Sequence, residues 1–361
     1  MIKMSTRKVL HMIPDSVVVT RENYLGSTKD IRGRTEYFLT RGIPFDELVV
    51  EHRSDKYLLE KFKSTDLGQY GTLFFELALY PESMTYVRNC FPDIKLITRS
   101  INADFYHWLH HFWVSHKNSA NRYSKKSLEY NSQYIKNAVN RLKLDIICAR
   151  LSDTILPIVD WEKEYYWKFL IPSKKIQTLP YFLPHVYDIE MLDGPKKDQC
   201  VCLMSTAVGT SPLLHDALLN FNKLVEKLGT RCPKWAFIVT GDLSNQRIEF
   251  PNRVGCTGFL ETPFPLLVES RAMALLSNYG FGFKTKLIDA VQAGCYALVP
   301  KKLYNRLPEE IKPFCIVVKL GSRRSFESGL EKCAQPFPPG HLNARLKERA
   351  FSVLDELILD R

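Results

Sequence analysis

The residues of this chain best suited to chemistry lie in one stretch, Tyr279-Gly280-Phe281-Gly282-Phe283-Lys284-Thr285-Lys286, which runs on through Asp289 to Gly294. Gly280 and Gly282 lack a Cβ and let a ligand approach the backbone closely. The apolar spacing after them predicts a helix over Lys284–Ala293, closed by Gly294 as C-cap and followed by a buried strand, Cys295–Pro300. Such a helix turns free N–H groups and the positive end of its dipole toward the glycine loop. Lys284 and Lys286 add two cations to the same turn, against the dipole, a placement that is unfavourable until an anion compensates it. A local rule broken in this way marks a functional position. A diphosphate meets the requirement, and Asp289 sets a carboxylate further along where ribose hydroxyls could donate to it. On spacing alone, a glycine turn followed by an amphipathic helix with solvated lysines fits equally well.

These residues need a framework to hold them. A chain of 361 residues, 45% hydrophobic and 25% charged, is globular and long enough for two cores of ordinary domain size. Short apolar runs alternate with longer helical patterns, which predicts an α/β fold with mainly parallel sheets. In the first half KVLHMI, ELVVEH, GTLFFEL, DIKLITRS, LDIICAR and DTILPIV read as strands or buried connections. Helices are expected over Tyr123–Leu142 and, behind Asp160 as N-cap, over Trp161–Leu170. The second half opens after the turn-rich Asp193-Gly-Pro-Lys-Lys-Asp198 and continues with strand CVCLMST, helix LHDALLNFNKLVEKLG, strand KWAFIVTG and the loop to RVGCTGFL. A helix around Leu266–Leu276 precedes the glycine loop, and strand FCIVVKL comes after CYALVP. This βαβ cadence is that of a doubly wound nucleotide-binding domain. The expected division is a domain over 1–192, a second over 193–340, and an amphipathic C-terminal helix over 341–361. That helix either caps the second core or crosses back to the first.

The formal net charge of +11 calls for an anionic partner: nucleic acid, an anionic membrane, or a phosphate-bearing small molecule. No arginine-rich run, RNA-binding signature or zinc-finger spacing occurs, which argues against nucleic acid. The nine cysteines are odd in number and form no C-x-x-C pair, a usage that fits a reducing compartment. With no apolar run long enough for a membrane span or signal peptide, the expectation is a cytoplasmic protein. The run His107-Trp-Leu-His-His-Phe-Trp113 puts His107, His110 and His111 on one helical face, but no carboxylate or cysteine nearby completes a metal site. Core or interface is the commoner role for such a helix. With Trp108, Trp113 and the basic Arg122–Lys126, peripheral contact with anionic lipid at the cytoplasmic membrane face is the other option. A dehydrogenase fingerprint after the first strand and a P-loop are both missing.

The glycine–lysine stretch resembles the G-x-G-x-K-x-K-x-x-E-A-x-x-A-G element of GT-B glycosyltransferases, in the retaining, family-4-like group. Aspartate, Asp289, stands for the element's glutamate, and Phe281 stands where the usual E-x7-E form has its first carboxylate. The resemblance implies two Rossmann-like doubly wound domains facing a cleft, with the donor nucleotide on the second. It implies that Tyr279, Gly280, Phe281, Gly282, Phe283, Lys284, Thr285, Lys286 and Asp289 bind the donor's phosphates and ribose. Ser205–Pro212, with Gly209 and Thr210, resembles the phosphate-side loop after the domain's first strand. Val239–Asp242, with Gly241, is similar to the strand end bordering the base, and Gly255–Leu260, with Thr257, Gly258 and Phe259, to the turn that reads the base edge. In the first half Thr98–Asp104 is similar to R-x-H-N-x-E, with Ile101 in the histidine's place. Asn102 stays as an acceptor-side group and Asp104 as base for the acceptor hydroxyl; the other reading of this segment is a turn ending a strand. Gly26–Gly33, including Ser27, Thr28 and Lys29, resembles the flexible acceptor-side loop.

The activity so implied is transfer of a sugar from a nucleotide sugar to a hydroxyl of a glycan or lipid-linked acceptor, in polysaccharide or glycoconjugate synthesis. Lys284, Lys286 and the helix start would stabilise the departing diphosphate without an essential metal, in keeping with the absence of any D-x-D sequence. Two other readings share the architecture: a non-catalytic nucleotide-sugar or glycan-binding subunit, and a nucleotide-sugar epimerase.

Overall fold

The computed structural model describes residues 7–19, 26–118, 125–171, 175–187, 195–204, 212–243 and 249–359. It divides into two compact units. The first comprises residues 1–105, 137–187 and 344–361, and the second residues 106–136 and 188–343.

In the first unit, strands β1 (Lys8–Pro14), β2 (Phe45–Val50), β3 (Tyr70–Phe75), β4 (Lys95–Ser100) and β5 (Thr154–Pro157) form a sheet in the order β2-β1-β3-β4-β5. Every neighbouring pair is parallel. Parallel pairing demands crossover connections, and the helices that supply them cover both faces. That is why β3 is buried at every position. The expected strands KVLHMI, ELVVEH, GTLFFEL, DIKLITRS and DTILPIV correspond to these five.

Three local expectations are corrected. LDIICAR is not a strand but the end of a long helix, Lys125–Leu151. Its buried Asp145, Cys148 and Ala149 keep the three-to-four spacing of a helix face, although the apolar run looked extended. Asp160 is the first residue of its helical segment rather than the cap. Val159 holds the cap position without a side-chain bond, and the segment passes into a π-turn over Lys163–Trp167. Gly26–Gly33 is no loop, for it opens the helix Gly26–Arg41. Helical spacing there puts Asp30 and Arg34 on one buried face, where Arg34 pairs with Asp30 at 2.8 Å and Arg99 donates to the Asp30 carboxylate at 3.0 and 2.8 Å. A Cβ at Gly33 would stand 3.2 Å from the Phe182 ring, so a glycine inside this helix permits close packing.

The C-terminal helix, Leu342–Ile358, is an element of the first unit from Ala344 onward. Phe351 packs edge-on against Tyr37 at 5.2 Å, and the Asp355 carboxylate accepts from Arg41 at 2.9 and 2.7 Å. Of the two placements open to it, the helix takes the return to the first core.

The second unit holds β6 (Lys197–Cys202), β7 (Ala236–Val239), β8 (Val254–Cys256), β9 (Ser270–Ala274), β10 (Tyr296–Val299) and β11 (Cys315–Val317) in the order β11-β10-β9-β6-β7-β8. All pairs are parallel. Strand β9 corrects the helix expected around Leu266–Leu276. The helical part is only Phe264–Val268, and Ser270–Ala274 pairs between β6 and β10. Alanine, methionine and leucine are good helix formers, and central pairing in the sheet overrides that preference. The helix Pro212–Leu228 packs its apolar face, including Leu218, Phe221, Leu224 and Val225, into the core of this unit.

The helix after the glycine loop runs from Lys286 to Gln292, shorter at both ends than the expected Lys284–Ala293. A turn closed by Leu287 N–H donating to the Lys284 carbonyl at 2.8 Å leads into it. It ends as expected at Gly294, in a Schellman motif. Cys295 N–H donates to the Ala290 carbonyl at 2.8 Å and Gly294 N–H to the Val291 carbonyl at 3.0 Å, with Gly294 at φ 68°. An alanine there meets the left-handed penalty and a Cβ 3.3 Å from Lys196. We expect Gly294→Ala to lower stability by about 1–2 kcal/mol, as a reduced urea midpoint for the second unit's transition.

Candidate functional site

The sheet order of the second unit, counted from its own first strand, is 3-2-1-4-5-6. The reversal falls between β6 and β9, and open α/β sheets take their ligands outside the carboxyl ends of the strands at that point. Strand β6 runs out at Cys202 and β9 at Ala274, which delivers the chain to Tyr279–Lys286. The glycine–lysine stretch therefore emerges at the switch point of its own sheet.

Three sets of contacts hold it there. From the helix Pro212–Leu228, Asn220 donates to the Leu276 carbonyl at 2.9 Å, and the buried Asp216 carboxylate accepts from Ser277 Oγ at 3.3 Å. Ser277 Oγ in turn accepts from Tyr279 N–H at 3.2 Å. From the helix Asp104–Asn118, His110 Nδ1 accepts the Gly280 N–H at 2.8 Å while its ring stacks on Phe281 at 4.6 Å. Arg306 then donates to the Gly280 carbonyl at 2.9 Å and lies 4.8 Å over the Phe281 ring. Gly280 and Gly282 sit at φ 86° and 79°, conformations that glycine adopts without steric cost. A Cβ at Gly280 would also meet Lys284 Nζ at 3.0 Å.

Both lysines of the motif have backbone carbonyls as acceptors: Lys284 Nζ donates to Phe281 O at 3.2 Å and Lys286 Nζ to Leu203 O at 2.8 Å. The second bond ties the glycine loop to the end of β6. Asp289 is buried, on the helix that follows. At the ends of β7 and β8 the structure brings together Gly241 and Gly258, whose N–H and carbonyl bond at 2.7 Å, with φ 95° and 73°. Thr257 N–H donates to the Val239 carbonyl at 3.1 Å, and Phe259 is exposed. Gly209 and Thr210 lie outside the described residues.

The first unit holds the other expected group. Asp104 follows the end of β4 and faces Arg141 at 3.7 Å. Burial raises its carboxyl above the usual range, while Arg141, Arg53 and a hydrogen bond from Asn102 work the other way. Burial, with the charge of Asp104 as second cause, raises Asp145 well above the ordinary value, and Tyr166 donates to it at 2.5 Å. A base with a raised carboxyl is suited to taking a proton near neutral pH. Thr28 and Lys29, expected in a flexible loop with Gly26 and Ser27, are buried in the first turns of a helix.

Sequence reasoning passed over His110 and Arg306. The histidine run drew attention as a metal or lipid site, yet its member nearest the glycine loop is an acceptor for a backbone amide. His107 and His111 approach each other at 3.2 Å through their Nε2 atoms, and Trp108 packs 5.4 Å from His111. Among the described residues no group of three or more metal-ligating side chains is assembled. Trp113 is exposed, and no described helix is long and apolar enough to cross a membrane.

No family model matches the sequence, and no curated protein sequence does so. Solved structures do match along nearly the whole chain. Sucrose-phosphate synthase from Thermosynechococcus elongatus has a TM-score of 0.61 at 13% identity, over 98% of this chain and 96% of that one. Anabaena HepE in complex with UDP-glucose has a TM-score of 0.53 at 11% identity, over 97% and 95%. The lipopolysaccharide outer core galactosyltransferase WaaB, in its apo form, has 0.55 at 11%, over 98% and 99%. With the two parallel sheets, these likenesses show a GT-B glycosyltransferase fold built of two Rossmann-like domains.

Burial lowers both His110 and His111 to about 4. Arg306, Lys284, Lys302 and His111 add to the effect at His110, and Lys284 does so at His111. The fold thus favours neutral rings, and the unfolded chain takes up more protons as pH falls from about 6.5. Their contribution to stability is complete above about 6.5, is lost across the window down to about 4, and changes no further below it. The unfolding midpoint of wild type should therefore drop more between pH 7 and pH 4 than that of the His110→Phe, His111→Phe double variant. Equal drops would contradict the neutral assignment.

Proposed function

We propose that this chain is a glycosyltransferase that moves a sugar from a nucleotide-sugar donor to an acceptor hydroxyl of a glycan or lipid-linked substrate. The observation that carries this reading is the Gly280–Lys286 loop, with its two lysines, at the switch point of the second unit's sheet. Lys284 and Lys286 bind the donor diphosphate through charge-assisted hydrogen bonds to its oxygens. Asp289 binds ribose, and Gly241, Thr257, Gly258 and Phe259 border the base. HepE was solved with UDP-glucose, so a uridine diphosphate sugar is the first donor to test.

In the reaction the acceptor oxygen forms a bond to the anomeric carbon while the bond from that carbon to the diphosphate oxygen breaks. The acceptor proton passes to Asp104, and the nucleoside diphosphate departs with its growing charge stabilised by Lys284 and Lys286. No metal is needed in this scheme, because two cations already face the leaving group. A second reading, a non-catalytic nucleotide-sugar-binding protein, is favoured by Phe281, which fills the place of the first carboxylate with a buried ring stacked on His110.

Release of nucleoside diphosphate from a panel of nucleotide sugars with glycan acceptors separates the two. Lys284→Ala should lower turnover by about 10²–10³ with its thermal midpoint nearly unchanged; equal turnover would contradict the assignment. Asp104→Asn should lower turnover by about 10²–10⁴. It should also abolish an acid limb in the pH–rate profile that lies above the usual carboxylate range, because the raised Asp104 loses its proton only there.

A further inference from the structure

The proposed donor loop is gripped at a single residue, Gly280, through the two peptide units that flank it, and neither grip belongs to the lysine motif. Gly280 N–H is taken by His110 Nδ1 at 2.8 Å, and the Gly280 carbonyl by Arg306 at 2.9 Å. The same two side chains enclose the next residue, with the imidazole stacked on Phe281 at 4.6 Å and the guanidinium at 4.8 Å from its centroid. Tyr106, one turn before His110, packs against the same ring at 5.4 Å. Phe281 also offers its carbonyl to Lys284. The Gly280–Phe281 backbone therefore carries an acceptor that orients the Lys284 ammonium. A glycine at φ 86° has wide freedom of its own, so the orientation of that backbone must be imposed from outside.

We infer that His110 and Arg306 are positioning residues, which lock the two peptides flanking Gly280 and through Phe281 hold Lys284 ready for the donor diphosphate. This inference rests on the donor-site reading above and adds two residues to it. Its chemistry is specific. Because Gly280 N–H can only donate, Nδ1 must carry the lone pair and Nε2 the proton, so the ring is a neutral Nε2–H tautomer. An aromatic ring alone would keep the stacking and lose the acceptor. An asparagine would lose the stacking and keep an oxygen close to the Nδ1 position.

The test uses the full chain, with UDP as probe, and the variants His110→Phe, His110→Asn, Arg306→Ala and Lys284→Ala. Gly280 amide exchange is followed with ¹⁵N-glycine label, and UDP affinity by calorimetry. We expect exchange at Gly280 to speed up about tenfold or more in His110→Phe and to recover in His110→Asn, the size set by one net hydrogen bond. UDP affinity should fall about tenfold in His110→Phe and Arg306→Ala and return to within about threefold of wild type in His110→Asn. In wild type, the ¹⁵N shifts of His110 should show an unprotonated Nδ1. Unchanged Gly280 exchange in His110→Phe would overturn the inference. So would faster exchange with undiminished UDP affinity, provided Lys284→Ala still weakens UDP, for the clamp would then serve folding alone. If Lys284→Ala leaves UDP affinity intact, the donor-site reading itself fails, and the role given to the clamp falls with it.

Discussion

Like charges gathered in one place are the constraint on which the second unit's design turns. Burial, and after it the nearby Arg306, Lys284 and Lys302, hold the His110 ring neutral. Only a neutral ring can accept the Gly280 amide, so the cations and the loop geometry depend on each other. Lys284, Lys286 and Arg306 each donate to a backbone carbonyl, which orients the ammonium and guanidinium groups around the loop.

The first unit treats buried charge in the opposite way. Asp30 is shared by Arg34 and Arg99, Glu76 is bonded by Arg34 at 2.9 Å and by His11 at 2.5 Å, and all five side chains are buried. Asp30 is held down to about 2, burial opposing and the two arginines prevailing. Each charge there meets its opposite, and loss of one partner from such a network typically costs about 3–5 kcal/mol. The matched set fastens the helix Gly26–Arg41 to the sheet. By contrast Asp104 and Asp145 are both raised by burial, with the charge of Asp104 as the second cause at Asp145.

Much of this was legible in the sequence because it is local. Nine of the eleven described strands lie in runs recognisable from apolar patterning, and Gly294 ended its helix where a glycine C-cap was expected. The lysine motif identified the loop because its residues are adjacent in the chain. What was hidden depends on distant partners. Strand β9 is a strand because β6 and β10 flank it, and its alanines and methionine alone suggest a helix. Gly26–Gly33 reads as a loop until Arg99, far along the chain, is placed against Asp30. Arg306 carries no local signature, and His110 was one of three similar histidines with nothing in sequence to show which would meet Gly280.

The central claim is that the Gly280–Lys286 loop is built to hold a diphosphate, and the most direct measurement is a crystal structure of the full chain grown with UDP. The account predicts diphosphate oxygens within hydrogen-bond distance of the Lys284 and Lys286 ammonium groups, with the Gly280–His110 bond still in place. A diphosphate bound away from both lysines would contradict it.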